Sequence, residues 1–137
     1  LPAWAVYGCD CVGAIRAGVG GHLPVNYYDV DPYGSPWPVI DAILSVKREW
    51  PRRIVFAVND GLRQGSLDIQ GGWKVEALQA AVARYGNSAL FRNYLGICRE
   101  MLTEKVSQCG YALTHWGGYY CGYADKMTHY AAVCDRA

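Results

Sequence analysis

The sequence predicts an α/β fold: a mostly parallel sheet closed by a C-terminal antiparallel hairpin, in a single domain over residues 1–137. Three observations predict it. Residues 26–30 are rich in aromatic and β-branched types and stop at Asp31-Pro32, as a buried strand does when its carboxyl end opens into a binding crevice. Residues 54–58, Ile-Val-Phe-Ala-Val, form a continuous apolar run of the kind expected in a central parallel strand, and end in Asn59-Asp60-Gly61. A helical pattern separates the two, so together they read as a βαβ unit whose strand ends face one crevice.

In chain order, residues 4–10 read as a strand ending at Asp10, residues 12–17 as a short helix, and Gly18-Val19-Gly20-Gly21 as a loop. Pro32, Pro36 and Pro38 forbid ladder pairing and stiffen the exit from the second strand, which holds Asp31 at the rim. Residues 39–50 are amphipathic, with Val39, Ile40, Ile43, Leu44 and Val46 apolar. Lys47 and Arg48 complement the carboxyl-terminal dipole of that helix, and Pro51 stops it. Residues 64–74, with Gly65, Gly71 and Gly72, are a loop long enough to act as a lid. Residues 75–85 are good helix formers, ended by Gly86-Asn87. Residues 93–106 make another helix, with Leu95, Cys98, Met101, Leu102 and Val106 on its buried stripe. Residues 111–116 and 127–134 read as the two hairpin strands, and the aromatic, glycine-rich residues 117–126 turn the chain between them.

At 137 residues, 52% hydrophobic and 18% charged, the chain can bury a core and is not of the disordered class. It contains no apolar run near the ~18 residues of a spanning helix, and no basic-then-apolar leader. A net charge of +1 neither demands nor excludes nucleic acid; Lys47-Arg48, Arg52-Arg53 and Arg63 are the candidates for a basic face. None of the six cysteines forms Cys-x-x-Cys, and Cys9-x-Cys11 would point its side chains apart if extended. We therefore expect no metal, reduced thiols and a cytoplasmic setting. His115 and His129 sit on paired strands and read as structural, and His22 as solvated. Ser35 lies between Gly34 and Pro36 with no base in view, and this is not a hydrolase elbow.

The stretch Asp31-Pro32-Tyr33-Gly34-Ser35-Pro36, after a strand and before a helix, resembles the acidic catalytic loop of S-adenosylmethionine-dependent amino-methyltransferases. It is most similar to the variant in the tRNA guanine-26 N2-dimethyltransferases. Further short matches follow in that family's order: Val58-Asn59-Asp60, Arg84-Tyr85-Gly86, Asn93-Tyr94 with Arg99-Glu100, and His129-Tyr130. Residues 26–136 thus resemble the second half of that catalytic domain, and no tRNA-binding C-terminal domain follows. The resemblance implies a Rossmann-like methyltransferase fold, abbreviated at its N-terminal side.

Two registers against that fold compete in the first residues. In one, Gly8, Gly13 and Gly18 form the first glycine-rich loop around the methionine part of the cofactor. In the other, Asp10 ends the second strand and binds the ribose hydroxyls. About fifteen residues separate Asp10 from Tyr27, and a crossover needs at least ~10–12, which favours the second and places the glycine loop upstream of Leu1 or removes it.

The activity implied is methyl transfer from S-adenosyl-L-methionine to a nucleobase amine in RNA or DNA. Asp31 would accept hydrogen bonds from the amine, the Pro32 carbonyl would take its second proton, and Tyr33 would stack on the base or the sulfonium. Implied cofactor contacts are Gly8, Asp10, Asp29 and Tyr33; implied substrate contacts are Gly34, Ser35, Asn59, Asp60 and His129. The alternative is a non-catalytic nucleotide- or S-adenosylmethionine-binding protein that retains the fold. A missing crossover would leave sheet surface without its usual cover, so a homodimer is expected.

Overall fold

The computed structural model describes residues 6, 8–46, 49–63 and 75–137. Within them the order is α1 (Cys11–Arg16), β1 (Tyr27–Val30), α2 (Trp37–Ser45), β2 (Arg53–Asp60), α3 (Glu76–Tyr85), α4 (Asn87–Arg92), α5 (Tyr94–Gln108), β3 (Tyr111–Cys121) and β4 (Met127–Arg136). The strands form one sheet in the order β1-β2-β4-β3. The expected lid at 64–74, the pair Lys47-Arg48 and most of the expected strand at 4–10 lie outside the described residues.

The class is α/β, but the sheet is not mostly parallel. β1 and β2 are parallel, with Tyr28 beside Phe56 and Val30 beside Val58. β2 pairs antiparallel with β4, and β4 antiparallel with β3. The apolar run of β2 suggested cover on both faces, yet burial alternates along it. Ile54, Phe56, Val58 and Asp60 are buried, whereas Val55, Ala57 and Asn59 are only half-buried. A strand with small apolar residues on its open face reads the same as one covered twice.

The helices cover the other face. Trp37, Ile40 and Ile43 of α2 and Cys98, Leu102 and Val106 of α5 share a core with Ile54, Phe56 and Val58. Each fully buried large side chain contributes on the order of 1.5–3 kcal/mol. Tyr28 stacks on Phe56 at 5.4 Å and Trp116 on Tyr130 at 4.9 Å, which ties neighbouring strands together. Lys105 pairs with Asp41 at 2.6 Å and links α5 to α2. The Leu95 N–H, one of the orphan donors at the start of α5, donates to the Tyr120 hydroxyl at 3.0 Å.

Three elements differ from the sequence reading. Residues 8–10 are irregular, not strand, and the Asp10 carboxylate caps α1 by accepting the Gly13 N–H at 2.6 Å. The chain does not leave helix at Asn87: Gly86, at φ 78°, redirects it and α4 begins at once, driven by the buried Leu90. β3 runs on through Gly117 and Gly118 to Cys121, leaving only residues 122–126 as the turn. Gly118 is required by contact: a Cβ there would sit 2.6 Å from Leu95 Cδ2, 2.9 Å from the His129 carbonyl and 3.0 Å from Tyr130 Cβ.

This contact gives a paired prediction. Gly118→Ala is expected to lose about 1–3 kcal/mol, because the carbonyl of β4 cannot retreat without breaking the ladder. Gly117→Ala, with nothing among the described residues within 4 Å of its added carbon, should be neutral or stabilising by ~0.5–1 kcal/mol. Urea unfolding of both measures the difference; equal stabilities would refute the packing account.

Candidate functional site

The carboxyl end of the parallel pair is built by three loops. β1 stops at Val30 because Pro32 offers no N–H, and Gly34, at φ 98°, turns the chain toward α2. Trp37 and Val39, both buried, anchor the far side of that loop. The second loop begins at Gly61, whose N–H donates to the Gly34 carbonyl at 3.3 Å. The third is the turn before β4, and Met127 lies against Gly61. The register Val30–Val58 sets Asp31 level with Asn59.

A cavity of about 480 Å3 opens on the free side of β1. Val30, Val39 and Ile43 line it from the sheet and α2, and Cys11 and Ile15 from α1. Asp29, Asp31 and Pro32 bring the polar groups. Its size is in the range of small-ligand sites. Tyr27, Tyr28 and Val25 complete an aromatic and aliphatic wall.

Of the residues singled out in the sequence, this cavity gathers Asp29, Asp31 and Pro32. Tyr33 is fully exposed beside it. Gly34 is a turn residue, and the Ser35 hydroxyl is buried with no hydrogen-bond partner among the described residues. Gly8 is exposed, and Asp10, occupied with its helix cap, does not line the cavity. Asn59 and His129 lie elsewhere, in a shallow hollow of about 370 Å3 on the open sheet face. There the His129 ring stacks on Tyr119, centroids 5.3 Å apart and planes 7° from parallel.

Asp60 points the opposite way, into the core. It is 0% exposed and accepts the Leu62 N–H at 2.8 Å and the Tyr94 hydroxyl at 2.7 Å. Loss of solvation raises its carboxyl from 3.8 to about 6, against the pull of those donors. The same burial, with that carboxylate nearby, pushes the Tyr94 and Tyr130 hydroxyls and the Cys98 thiol well above their ordinary values. The Tyr130 hydroxyl belongs to this group but has no partner of good hydrogen-bond geometry among the described residues. As placed, Asp60 fixes the end of β2 and does not reach a substrate.

Arg63 likewise leaves the expected basic face. Its guanidinium lies between the rings of Phe91 and Tyr120, 4.1 and 3.8 Å from their centroids. It donates to the Phe91 carbonyl at 3.3 Å and to the Asp125 carbonyl. A flat cation stacked on both faces is compatible with burial in a way that charge alone does not reveal. The latter contact secures a strained turn, since Ala124 and Asp125 both have φ 53°.

The sequence reading missed the cavity walls from α1 and the ring pair Tyr119–His129. Cys11 and Ile15, four apart on a short helix, carried the spacing of a common face. Tyr119 carried no local signal, because its partner is set by the β3–β4 register. All six cysteines are free thiols. Among the described residues no three histidine, cysteine or carboxylate side chains gather as a metal ion requires, and no helix is long and apolar enough to cross a membrane.

The buried acid predicts a pH dependence. A carboxyl whose pKa rises on folding binds its proton more tightly in the folded state, so its favourable contribution is full below about pH 4 and is lost as pH rises to about 6. The loss is on the order of 3 kcal/mol. Asp60→Asn should therefore gain stability relative to the parent between pH 4 and pH 7, as read by urea unfolding. A gap between the two proteins that stays constant across that range would show that Asp60 does not titrate there.

No protein-family model, no curated protein and no solved structure matches this chain.

Proposed function

We propose that the chain is an S-adenosylmethionine-dependent N-methyltransferase acting on a nucleobase amine in RNA or DNA. One observation carries the reading: Asp31-Pro32 leave the carboxyl end of a parallel strand directly into a cavity that Asp29 also lines. The residues present suit an adenosyl group. The aliphatic wall of Ile15, Val25, Val39 and Ile43 takes the flat base, and a carboxylate accepts ribose hydroxyls. The cofactor would supply a methyl group activated on a sulfonium.

The chain's own residues then position the acceptor. Asp31, exposed at the cavity edge, accepts a hydrogen bond from the exocyclic amine, and the Pro32 carbonyl can accept the second. Those two acceptors orient the nitrogen lone pair and the Asp31 carboxylate takes up the proton shed on methylation, so alignment rather than strong acid-base chemistry lowers the barrier. Tyr33, wholly exposed on the motif loop, is free to stack on a base drawn out of its own stack. The free thiols suit a reducing, cytoplasmic setting. Asp10, engaged as a helix cap and not at a strand end, favours the second reading, a non-catalytic nucleotide-binding protein on the same fold.

Calorimetry with S-adenosylmethionine tests the first reading. Micromolar binding is expected, weakened tenfold or more by Asp29→Ala, with protection of Cys11 from iodoacetamide because that exposed thiol lines the cavity. Asp31→Asn should lower methyl transfer to a nucleic-acid acceptor at least a hundredfold. Binding without transfer by the parent would select the non-catalytic reading; neither binding nor protection would refute the methyltransferase, and the same result with a panel of nucleotides would refute the second reading too.

A further inference from the structure

We infer that the open face of the sheet is a track for single-stranded nucleic acid, with phosphate anchors at one end and a base-stacking pair at the other. This deepens the proposed function by naming how the substrate lies on the protein, and it rests on that reading only for where the track leads.

The anchor end is a groove of about 510 Å3 formed by Arg52, Arg53, Asp135 and Arg136, where the start of β2 meets the end of β4. Pairing of Arg53 with Asp135 builds it, and the Arg136 N–H bonds to the Arg52 carbonyl at 2.9 Å. The single carboxylate is already engaged: Arg53 grips both its oxygens at 2.7 and 3.1 Å, and the Thr114 hydroxyl donates to it at 2.8 Å. Arg52 and Arg136 have no carboxylate partner among the described residues. Three guanidiniums around one carboxylate leave a positive surplus suited to backbone phosphates.

The stacking end is the hollow with Tyr119, His129 and Asn59. Parallel rings on a sheet face, Tyr119 exposed and His129 half-buried, accept bases of any sequence, and Asn59 offers one hydrogen-bonding edge. Register puts Arg53 and Asp135 on the same face as the stacking end, while Arg52 and Arg136, one position out of phase with them, line the groove from the end of the sheet. From Arg53–Asp135 the open face continues through Val55–Val133, then Ala57–Ala131–Gly117, to Asn59–His129–Tyr119. The middle is a floor of small apolar side chains, with Asp29 beside Ala57 on the β1 side and His115 beside Val133 on the β3 side. Arg53 and Asn59 are six residues apart on β2, roughly 20 Å, which a stacked strand rising 3.4 Å per nucleotide spans with about six nucleotides. Asp31 stands level with Asn59, so the track ends beside the proposed methyl-transfer cavity.

Fluorescence anisotropy with a labelled single-stranded 15-mer, as RNA and as DNA and without S-adenosylmethionine, tests this apart from the methylation reading. The parent should bind with strong salt dependence. Arg52→Gln with Arg136→Gln should weaken binding tenfold or more at low salt and flatten the log K against log salt slope by about 1.4. Tyr119→Ala should weaken binding about 5- to 150-fold with the slope unchanged. Arg99→Gln, on the exposed side of α5, should bind as the parent. Thermal melts confirm that each variant is folded. No binding by the parent, or parent-like binding by both folded variants, overturns the inference. So does sedimentation that shows a dimer broken by Tyr119→Ala in a chain that ignores the oligonucleotide, since a second copy would then cover the face. Oligonucleotide binding lost as described, in a chain that never binds cofactor, upholds the track and refutes the methyltransferase.

Discussion

The end of β2 is fixed by a carboxylate kept away from water, and the geometry of the carboxyl edge depends on it. Asp60 receives one backbone and one phenolic hydrogen bond, which offset part of the cost of its burial. The backbone bond closes residues 60–62 into a tight turn, and three residues on, Arg63 is clamped between two rings. Gly61, between these fixed points, meets the Gly34 carbonyl. The loop that carries Asp31 is thus braced against a polar knot in the core, and the strained turn at Ala124-Asp125 is braced by the same segment. A surface acid needs such backing, since Pro32 denies its strand the ladder bonds that would otherwise hold it.

The sheet has two unlike faces. Helices load one by packing Trp37, Tyr94 and Leu102 over it with Phe56 of β2, all without solvent contact. The other carries Ala57, Ala131 and Gly117 across its centre. The division explains why Gly118 and Gly117, adjacent in sequence, answer to different forces. Gly118 faces α5 and is held by close approach; Gly117 faces outward, with nothing among the described residues within 4 Å of an added carbon.

Much of this was legible locally. The helices at 76–85 and 94–108 lie within two residues of their expected bounds, because caps and apolar stripes are written in adjacent residues. The Asp31 loop was legible for the same reason: proline and glycine punctuate it. What escaped was decided at a distance. Burial of Arg63 depends on Phe91 and Tyr120, far along the chain, and its charge pointed to the surface. The length of β3 depended on Leu95 and Tyr130 making room only for glycine, where the glycine pair read as a turn. Parallel and antiparallel pairing of β2 could not be separated, because the small residues of an open face continue an apolar run.

A net charge of +1 conceals a segregation that bears on orientation. The carboxylates of Asp29 and Asp31 gather at the edge of β1, and the guanidiniums of Arg52, Arg53 and Arg136 gather at the other end of the sheet. Small apolar residues of β2 and β4 lie between them, so the negative charge of the open face runs along β1 and the positive charge sits at the arginine end. An anionic strand approaching it is drawn to the arginine end and repelled from the acid end. On the proposed reading, its phosphates settle on the arginines, while an uncharged base with amine protons to donate is what the acid end can accept. Binding energy at the arginines therefore holds the strand without drawing phosphate into the cavity, where it would compete with the amine for position.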